Sequence, residues 1–173
     1  LKKIMVLGIS PGVGKSTFAN ELGRILGIKV HHLDAYFWRA GWIQAPPEEF
    51  AEAQQQIVQN NEWIIEGNYT GTYEIRSREA DTIIYLELPL SLCLYRVFKR
   101  YIKNIGNTRP DMAPGCQEKL DFEFLKFIMT TYYPRRKKIK KRLASFQPIG
   151  EDKKTVILKN KKEIRTYLEE QKL

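Results

Sequence analysis

Cysteine and histidine are scarce. The 173 residues hold two cysteines, Cys93 and Cys116, and two histidines, the adjacent pair His31-His32. Two cysteines exclude a disulfide-stapled scaffold. His31-His32 has no third ligand at metal spacing and reads as structural. Long hydrophobic runs are also missing. No apolar stretch approaches the ~20 residues that a bilayer-spanning helix needs, and no membrane partner is expected. Lys2-Lys3 lead straight into a short apolar run and a glycine loop, so no secretory leader is read and a reduced, cytoplasmic setting is expected. Repeats and low-complexity tracts are absent. What is present is ordinary for a folded chain: 43% hydrophobic and 28% charged residues, enough for one domain over 1–173 with a sustainable core.

The charge is uneven. The formal net charge is +9. Residues 1–125 carry 14 Lys and Arg against 15 Asp and Glu, while residues 126–173 carry 15 against 5. The excess is densest in Arg135-Arg136-Lys137-Lys138-Ile139-Lys140-Lys141-Arg142, where seven of eight residues are basic. Such a block attracts phosphate, whether of a nucleotide or a nucleic acid, or it forms a solvated helix face.

Apolar runs and turn residues alternate along the chain. Strands are predicted at 3–8, 28–33, 63–65, 82–86 and 155–158, the second ending at Asp34. Helices are predicted from Lys15, from Pro47, over 92–102, over 120–133 with Pro134 kinking or restarting it, and over 162–170. The aromatic segment 35–45 reads as irregular, and 103–117 as a Gly/Pro loop. Five strands alternating with helices predict an α/β fold with a parallel sheet covered on both faces.

The chemistry centres on Pro11-Gly12-Val13-Gly14-Lys15-Ser16-Thr17, between a buried strand and an amphipathic helix. Glycines let the backbone curl so that its N–H groups face phosphate oxygens, and the helix N-terminus adds partial positive charge. Lys15 would reach the terminal phosphates of ATP and the Ser16 hydroxyl would ligate Mg²⁺. The pattern departs from G-x-x-x-x-G-K-[ST] at its first position, where Ile9 stands. Either Ile9 replaces that glycine, or the loop is one residue longer and begins at Gly8.

In an open parallel sheet the ligand crevice lies at the carboxyl ends of the strands. Asp34 and Glu66 should converge there with the phosphate loop. Asp34 is the candidate general base, and Glu66 the candidate for the Mg²⁺ water shell; capping of the following segment is the structural alternative for each. Tyr36-Phe37-Trp38 and Trp42 form either an acceptor-pocket wall or a satellite core. Arg100 and the loop residue Arg109 are candidates for closing on the transferred phosphoryl group. Arg96 and Arg135 are equally compatible with function and with surface ion pairs.

These motifs, with His32-Leu33-Asp34, Trp38-Arg39-Ala40-Gly41-Trp42, Trp63-Ile64-Ile65-Glu66-Gly67-Asn68-Tyr69, Arg109-Pro110-Asp111-Met112 and Val156-Ile157-Leu158-Lys159-Asn160-Lys161, run nearly the length of the chain. In that order they resemble the bacterial "DNA topology modulation protein" family, an adenylate-kinase-related branch of the P-loop kinases. The resemblance implies a three-layer P-loop NTPase fold, adenylate-kinase-like, with an acceptor flap near 35–60 and a short lid near 101–120. It implies that Arg96 lies near the adenine, Arg100 on the transferred phosphate, and Lys159 and Asn160 in the loop that holds the adenine. Glu66 stands where that branch usually carries Asp.

The expected function is therefore an ATP- and Mg²⁺-dependent kinase acting on a small-molecule or nucleotide acceptor. The alternative is a nucleic-acid-binding regulator of DNA topology with a nucleotide switch site, contacting DNA non-specifically through 135–142. The sequence carries no groove-reading motif, and it names neither the acceptor nor the oligomeric state.

Overall fold

The computed structural model describes residues 1–146 and 153–172. Its centre is a parallel five-stranded sheet. The strands are β1 (Lys3–Gly8), β2 (Val30–His32), β5 (Trp63–Glu66), β6 (Thr82–Leu86) and β7 (Lys154–Leu158), in spatial order β2-β5-β1-β6-β7. Apart from Lys3, every residue of β1, β5 and β6 is buried. That is why these strands read as continuous apolar runs rather than alternating ones. The tiny antiparallel pair β3 (Trp38–Arg39) and β4 (Ile43–Gln44) stands apart from the sheet.

Right-handed crossovers fix the layers. The step from β1 to β2 runs through α1 (Lys15–Leu26) and moves one way along the sheet. The steps from β2 to β5 through α3 (Pro47–Val58), from β5 to β6 through α4 (Tyr73–Glu79), and from β6 to β7 through α5 (Leu90–Asn104) and α6 (Phe122–Phe146) move the other way. The first helix and the later ones therefore cover opposite faces. The last helix, α7 (Lys161–Glu170), returns to the α1 side, where Tyr167 meets Phe18 with ring centroids 6.2 Å apart. The result is the expected three-layer α/β P-loop NTPase fold with a five-stranded parallel sheet.

Four local expectations are corrected. The second strand stops at His32, and Leu33–Phe37 form a single helical turn, α2, so Asp34 lies on a turn rather than at a strand end. The segment 35–45 is not irregular: it completes α2 and forms the β3–β4 pair. Helix α4 has no counterpart in the sequence reading, because its buried stripe is interrupted by Arg76 and Ser77 and lacks an apolar period. Pro134 does not restart a helix. Ile128, Tyr132, Ile139, Leu143 and Phe146 are buried along one continuous helix on both sides of it, and their packing outweighs the ~3 kcal/mol cost of an interior proline.

Arg76 is fully buried and, among the described residues, has no carboxylate partner. Its Nη1 donates to Gly67 O at 2.8 Å and its Nη2 to Tyr69 O at 2.7 Å. Burial pushes its pKa down to about 10, so it remains cationic at neutral pH. Replacing it would leave two buried carbonyls unpaired. Arg76→Leu is expected to lower unfolding stability by about 2–4 kcal/mol, read from urea denaturation; an unchanged midpoint would mean that the 67–69 loop holds its own shape.

Candidate active site

The strand order reverses at β1, and the crevice at the carboxyl ends of β1 and β5 is where the phosphate loop sits. Gly8 ends β1 without a side chain for a visible reason. A Cβ there would lie 2.5 Å from Val13 Cγ1 and 2.7 Å from Lys15 Cδ. Ile9 points into the core with no exposed surface. Of the two readings of the loop, the geometry favours Gly8 as the glycine over which the lysine stem passes. Gly12 adopts a left-handed φ of 81°, and a Cβ on it would meet Cys93 O at 2.3 Å. Gly8→Ala is expected to weaken MgATP binding by tenfold or more by displacing Lys15 and Val13, with titration calorimetry as the measure; unchanged affinity would show that the loop relaxes around the methyl group.

Lys15, Ser16 and Glu66 meet. Glu66 is buried at the end of β5. Its Oε1 is 3.7 Å from Lys15 Nζ, and its Oε2 accepts from Ser16 Oγ at 3.1 Å. His32 Nδ1 lies 2.9 Å from the same Oε2, and its Nε2 faces Asn20 Oδ1 at 2.9 Å. Burial acts to raise the Glu66 pKa, but His32, Lys15 and Ser16 together hold it below the ordinary value. The site therefore presents a carboxylate and a hydroxyl oxygen side by side. This hard-oxygen set suits Mg²⁺, which takes one or two protein ligands and fills the rest of its shell with water and substrate phosphate. Among the described residues no cluster of three or more His, Cys, Asp and Glu groups forms a metal cage.

Asp34 is half-buried on α2 and accepts from Tyr69 Oη at 2.5 Å. Burial raises its pKa, with the Glu66 charge adding to the rise; the Tyr69 hydrogen bond, Lys15 and Arg109 offset this only in part. Tyr69 is locked into an aromatic cluster. Its ring centroid is 4.7 Å from Phe37 and 4.9 Å from Phe50, and Phe37 lies 4.9 Å from Trp38.

The loop that follows Glu66 was given no role in the sequence reading. Asn68 clamps the end of β1: its Oδ1 accepts from Gly8 N at 2.9 Å and its Nδ2 donates to Gly8 O at 2.6 Å. Neighbouring Tyr69 reaches Asp34, and Arg76 holds the carbonyls on either side. One three-residue loop thus positions both the phosphate side and the Asp34 side. In the sequence Asn68 and Tyr69 stand as a polar pair directly after a strand-end glycine, at the end of the family-like motif 63–69.

The arginines divide. Arg96 Nη1 donates to Val13 O at 2.8 Å, fastening α5 to the phosphate loop. Arg135 also reaches this region, with Nη1 3.5 Å from Ile9 O. Arg100 and Arg109 come together on buried Glu118, Arg100 Nε at 3.0 Å from Oε1 and Arg109 Nε at 2.7 Å from Oε2. Arg109 also pairs with Asp111 at 3.1 Å. The segment carrying Arg109 is docked on residues 38–42. Trp42 Nε1 donates to Gln117 O at 3.1 Å, Gly41 N donates to Gly115 O at 3.2 Å, and Trp38 and Trp42 pack on Met112, Ala113 and Cys116.

Lys159 and Asn160 follow β7, the edge strand beside β6. Asn160 caps α7, accepting from Glu163 N at 2.9 Å, while Lys159 N donates to Glu163 Oε2 at 2.7 Å. Among the described residues no hydrogen bond or ion pair joins them to the phosphate loop; Asn160 lines a recess of about 510 Å³ with Ile157 and Tyr167. Pro11 and Thr17 complete the loop, half-buried and exposed respectively.

The basic run 135–142 is not one patch. Arg135 turns to the phosphate loop, Arg136 and Lys140 pair with buried Glu87, and Arg142 lies over the Tyr73 ring at 4.4 Å. Lys137, Lys138 and Lys141 are left exposed on the outer side of α6.

No family model matches the chain. A curated relative, an uncharacterized protein YqaC of Bacillus subtilis (strain 168), is 28% identical over 108 residues, spanning 61% of this chain and 60% of the relative. Solved structures with the same fold include a shikimate kinase from Bacteroides thetaiotaomicron at 17% identity, covering 96% of this chain and 94% of that one with a TM-score of 0.56. A deoxyadenosine kinase from M. mycoides with bound dATP matches at 16% identity, 98% of each chain and a TM-score of 0.54. A gluconokinase from Sinorhizobium meliloti 1021 matches at 15% identity, 98% and 89% coverage and a TM-score of 0.53. At these identities the likeness is one of fold. Among the described residues no helix is long and apolar enough to cross a membrane.

Proposed function

We propose that this protein is an ATP-dependent phosphotransferase acting on the hydroxyl group of a small molecule, with residues 1–173 working as one kinase domain. The observation that carries this reading is the meeting of Lys15, Ser16 and Glu66 beneath a phosphate loop, with Asp34 across the same crevice. The motif-level resemblance to the adenylate-kinase-related branch supports it, and so does a fold found in kinases with three different acceptors.

Each residue has a task in this reading. Backbone N–H groups of 12–17 and the Lys15 ammonium hold the triphosphate. Ser16, with Glu66 through water, would hold Mg²⁺, which supplies charge neutralisation on the phosphates when bound. Arg96 fastens the loop and lies on the adenine side, with Lys159 and Asn160 assigned to the base itself. Asp34 takes the acceptor's hydroxyl proton. The acceptor oxygen then forms a bond to the γ-phosphorus while the bond to the β,γ-bridging oxygen breaks and ADP leaves. Arg100 and Arg109 exchange Glu118 for the more highly charged transferring group, because three equatorial oxygens offer them a better anion.

Titration of MgATP into the protein, followed by acceptor-dependent ADP release across nucleosides, nucleotides and sugars, tests this. Binding in the micromolar-to-millimolar range with turnover of at least one acceptor is expected; no binding at millimolar MgATP would sink the reading.

A further inference from the structure

We infer that the acceptor is an uncharged, ring-bearing hydroxyl compound, of the nucleoside or monosaccharide type, and not a phosphate- or carboxylate-bearing one. This rests on the kinase reading above and sharpens the same site.

The charge around Asp34 is one-sided. The flap, residues 35–60, contains a single cation, Arg39, against Glu48, Glu49 and Glu52. Arg39 is itself committed: its Nη2 bonds Glu49 Oε2 on the outer surface. The cations that do face the crevice are engaged: Lys15 sits on Glu66, Arg96 on the phosphate-loop backbone, and Arg100 and Arg109 on Glu118, while Arg109, whose charge also reaches Asp34, is paired with Asp111 as well. An acceptor bearing its own phosphate or carboxylate beside Asp34 would therefore meet two buried or half-buried carboxylates, Asp34 and Glu66, with no free flap cation. Anion recognition by kinases and phosphate-binding proteins ordinarily relies on bidentate arginine, and the flap supplies none.

What the flap offers instead is an apolar aromatic surface whose rings meet at edge-on and tilted angles. Phe37, Trp38, Phe50 and Tyr69 are in edge and tilted contact immediately behind Asp34. Trp42 continues this surface to the docked lid segment, where Met112, Ala113 and Cys116 close it. Aromatic faces with one converging carboxylate suit a sugar ring or a nucleobase: the rings take the apolar face and Asp34 takes one hydroxyl.

The test uses matched pairs at saturating MgATP: 2′-deoxyadenosine against its 5′-monophosphate, and glucose against glucuronate, which keeps the ring. Within the pair that is turned over, kcat/KM for the uncharged member is expected to exceed that of the anionic member by about 100-fold, equivalent to about 2.7 kcal/mol at 1.36 kcal/mol per tenfold. The two pairs separate a nucleoside from a sugar. Equal or higher kcat/KM for either anionic member overturns the inference, as does MgATP binding without turnover of any uncharged member. Arg39→Gln is expected to leave the favoured acceptor's kcat/KM within about twofold; a tenfold loss would place that cation in acceptor recognition and overturn it equally. Failure to bind MgATP is a different result, because it removes the kinase reading itself.

Discussion

Lys15→Ala is expected to lower ATP turnover roughly 10³-fold or more while the protein stays folded. The size follows from position. Lys15 opens α1 at the point where the helix N-terminus and the loop N–H groups already favour an anion, and it supplies the one full positive charge held against Glu66. Removing a preorganised donor of this kind costs about 10²–10³ in rate, and here the lost group is charged. The fold should survive because Lys15 contributes little to the core. Glu66 keeps its hydrogen bonds with His32 and Ser16, so its buried carboxylate is not orphaned. Lys15→Arg should not rescue, since the stem passes over Gly8 with no room to spare. The measurements are MgATP affinity, ADP release, and thermal unfolding with circular dichroism. Retention of more than a tenth of the wild-type rate would remove Lys15 from the chemistry.

The second large effect is at Asp34. Asp34→Asn is expected to reduce kcat by about 10²–10⁴, the range of general-base catalysis, with MgATP affinity changed less than about threefold. The asparagine oxygen still accepts from Tyr69, so geometry is kept and only the proton acceptor is lost. The pH dependence follows from the raised pKa, which burial causes first and Glu66 second. A base works only when ionised, so the wild-type rate should fall on the acid side along a limb shifted to higher pH than an unperturbed aspartate would give. Tyr69 hydrogen bonding favours the ionised form. Tyr69→Phe should therefore move that limb to higher pH, with a smaller loss at high pH than Asp34→Asn.

The same shift has a sign for stability. A carboxyl whose folded pKa is raised favours folding most in its protonated form, and that contribution is lost as pH rises through the folded pKa. Ionised Asp34 is thus a burden on the folded state at neutral pH. Asp34→Asn should raise the melting temperature near pH 7, and the difference should shrink below the ordinary carboxylate range. A melting temperature that falls at pH 7 would mean that Asp34 is a structural anion rather than a strained base.

The sequence by itself determined the five-stranded parallel sheet, most of its helical layers and the glycine-lysine loop between the first strand and helix. Those features are written locally. Buried parallel strands are continuous apolar runs, and a phosphate loop is a contiguous stretch whose glycines and lysine act on neighbouring backbone. Ser16 and Glu66 could be assigned to one crevice because strand ends converge in any open parallel sheet. What only the tertiary structure decided are the partnerships across long stretches of chain. Asn68 clamps Gly8, Tyr69 orients Asp34, and Arg76 braces both from a helix that no apolar period announces. Arg100 and Arg109 share Glu118, and the basic run 135–142 divides between the phosphate loop, Glu87 and Tyr73. The reason is physical. A hydrogen bond or ion pair depends on where two side chains end after packing, and packing is set by the whole core at once. Periodicity and composition report which face a residue buries, but not what it will touch there.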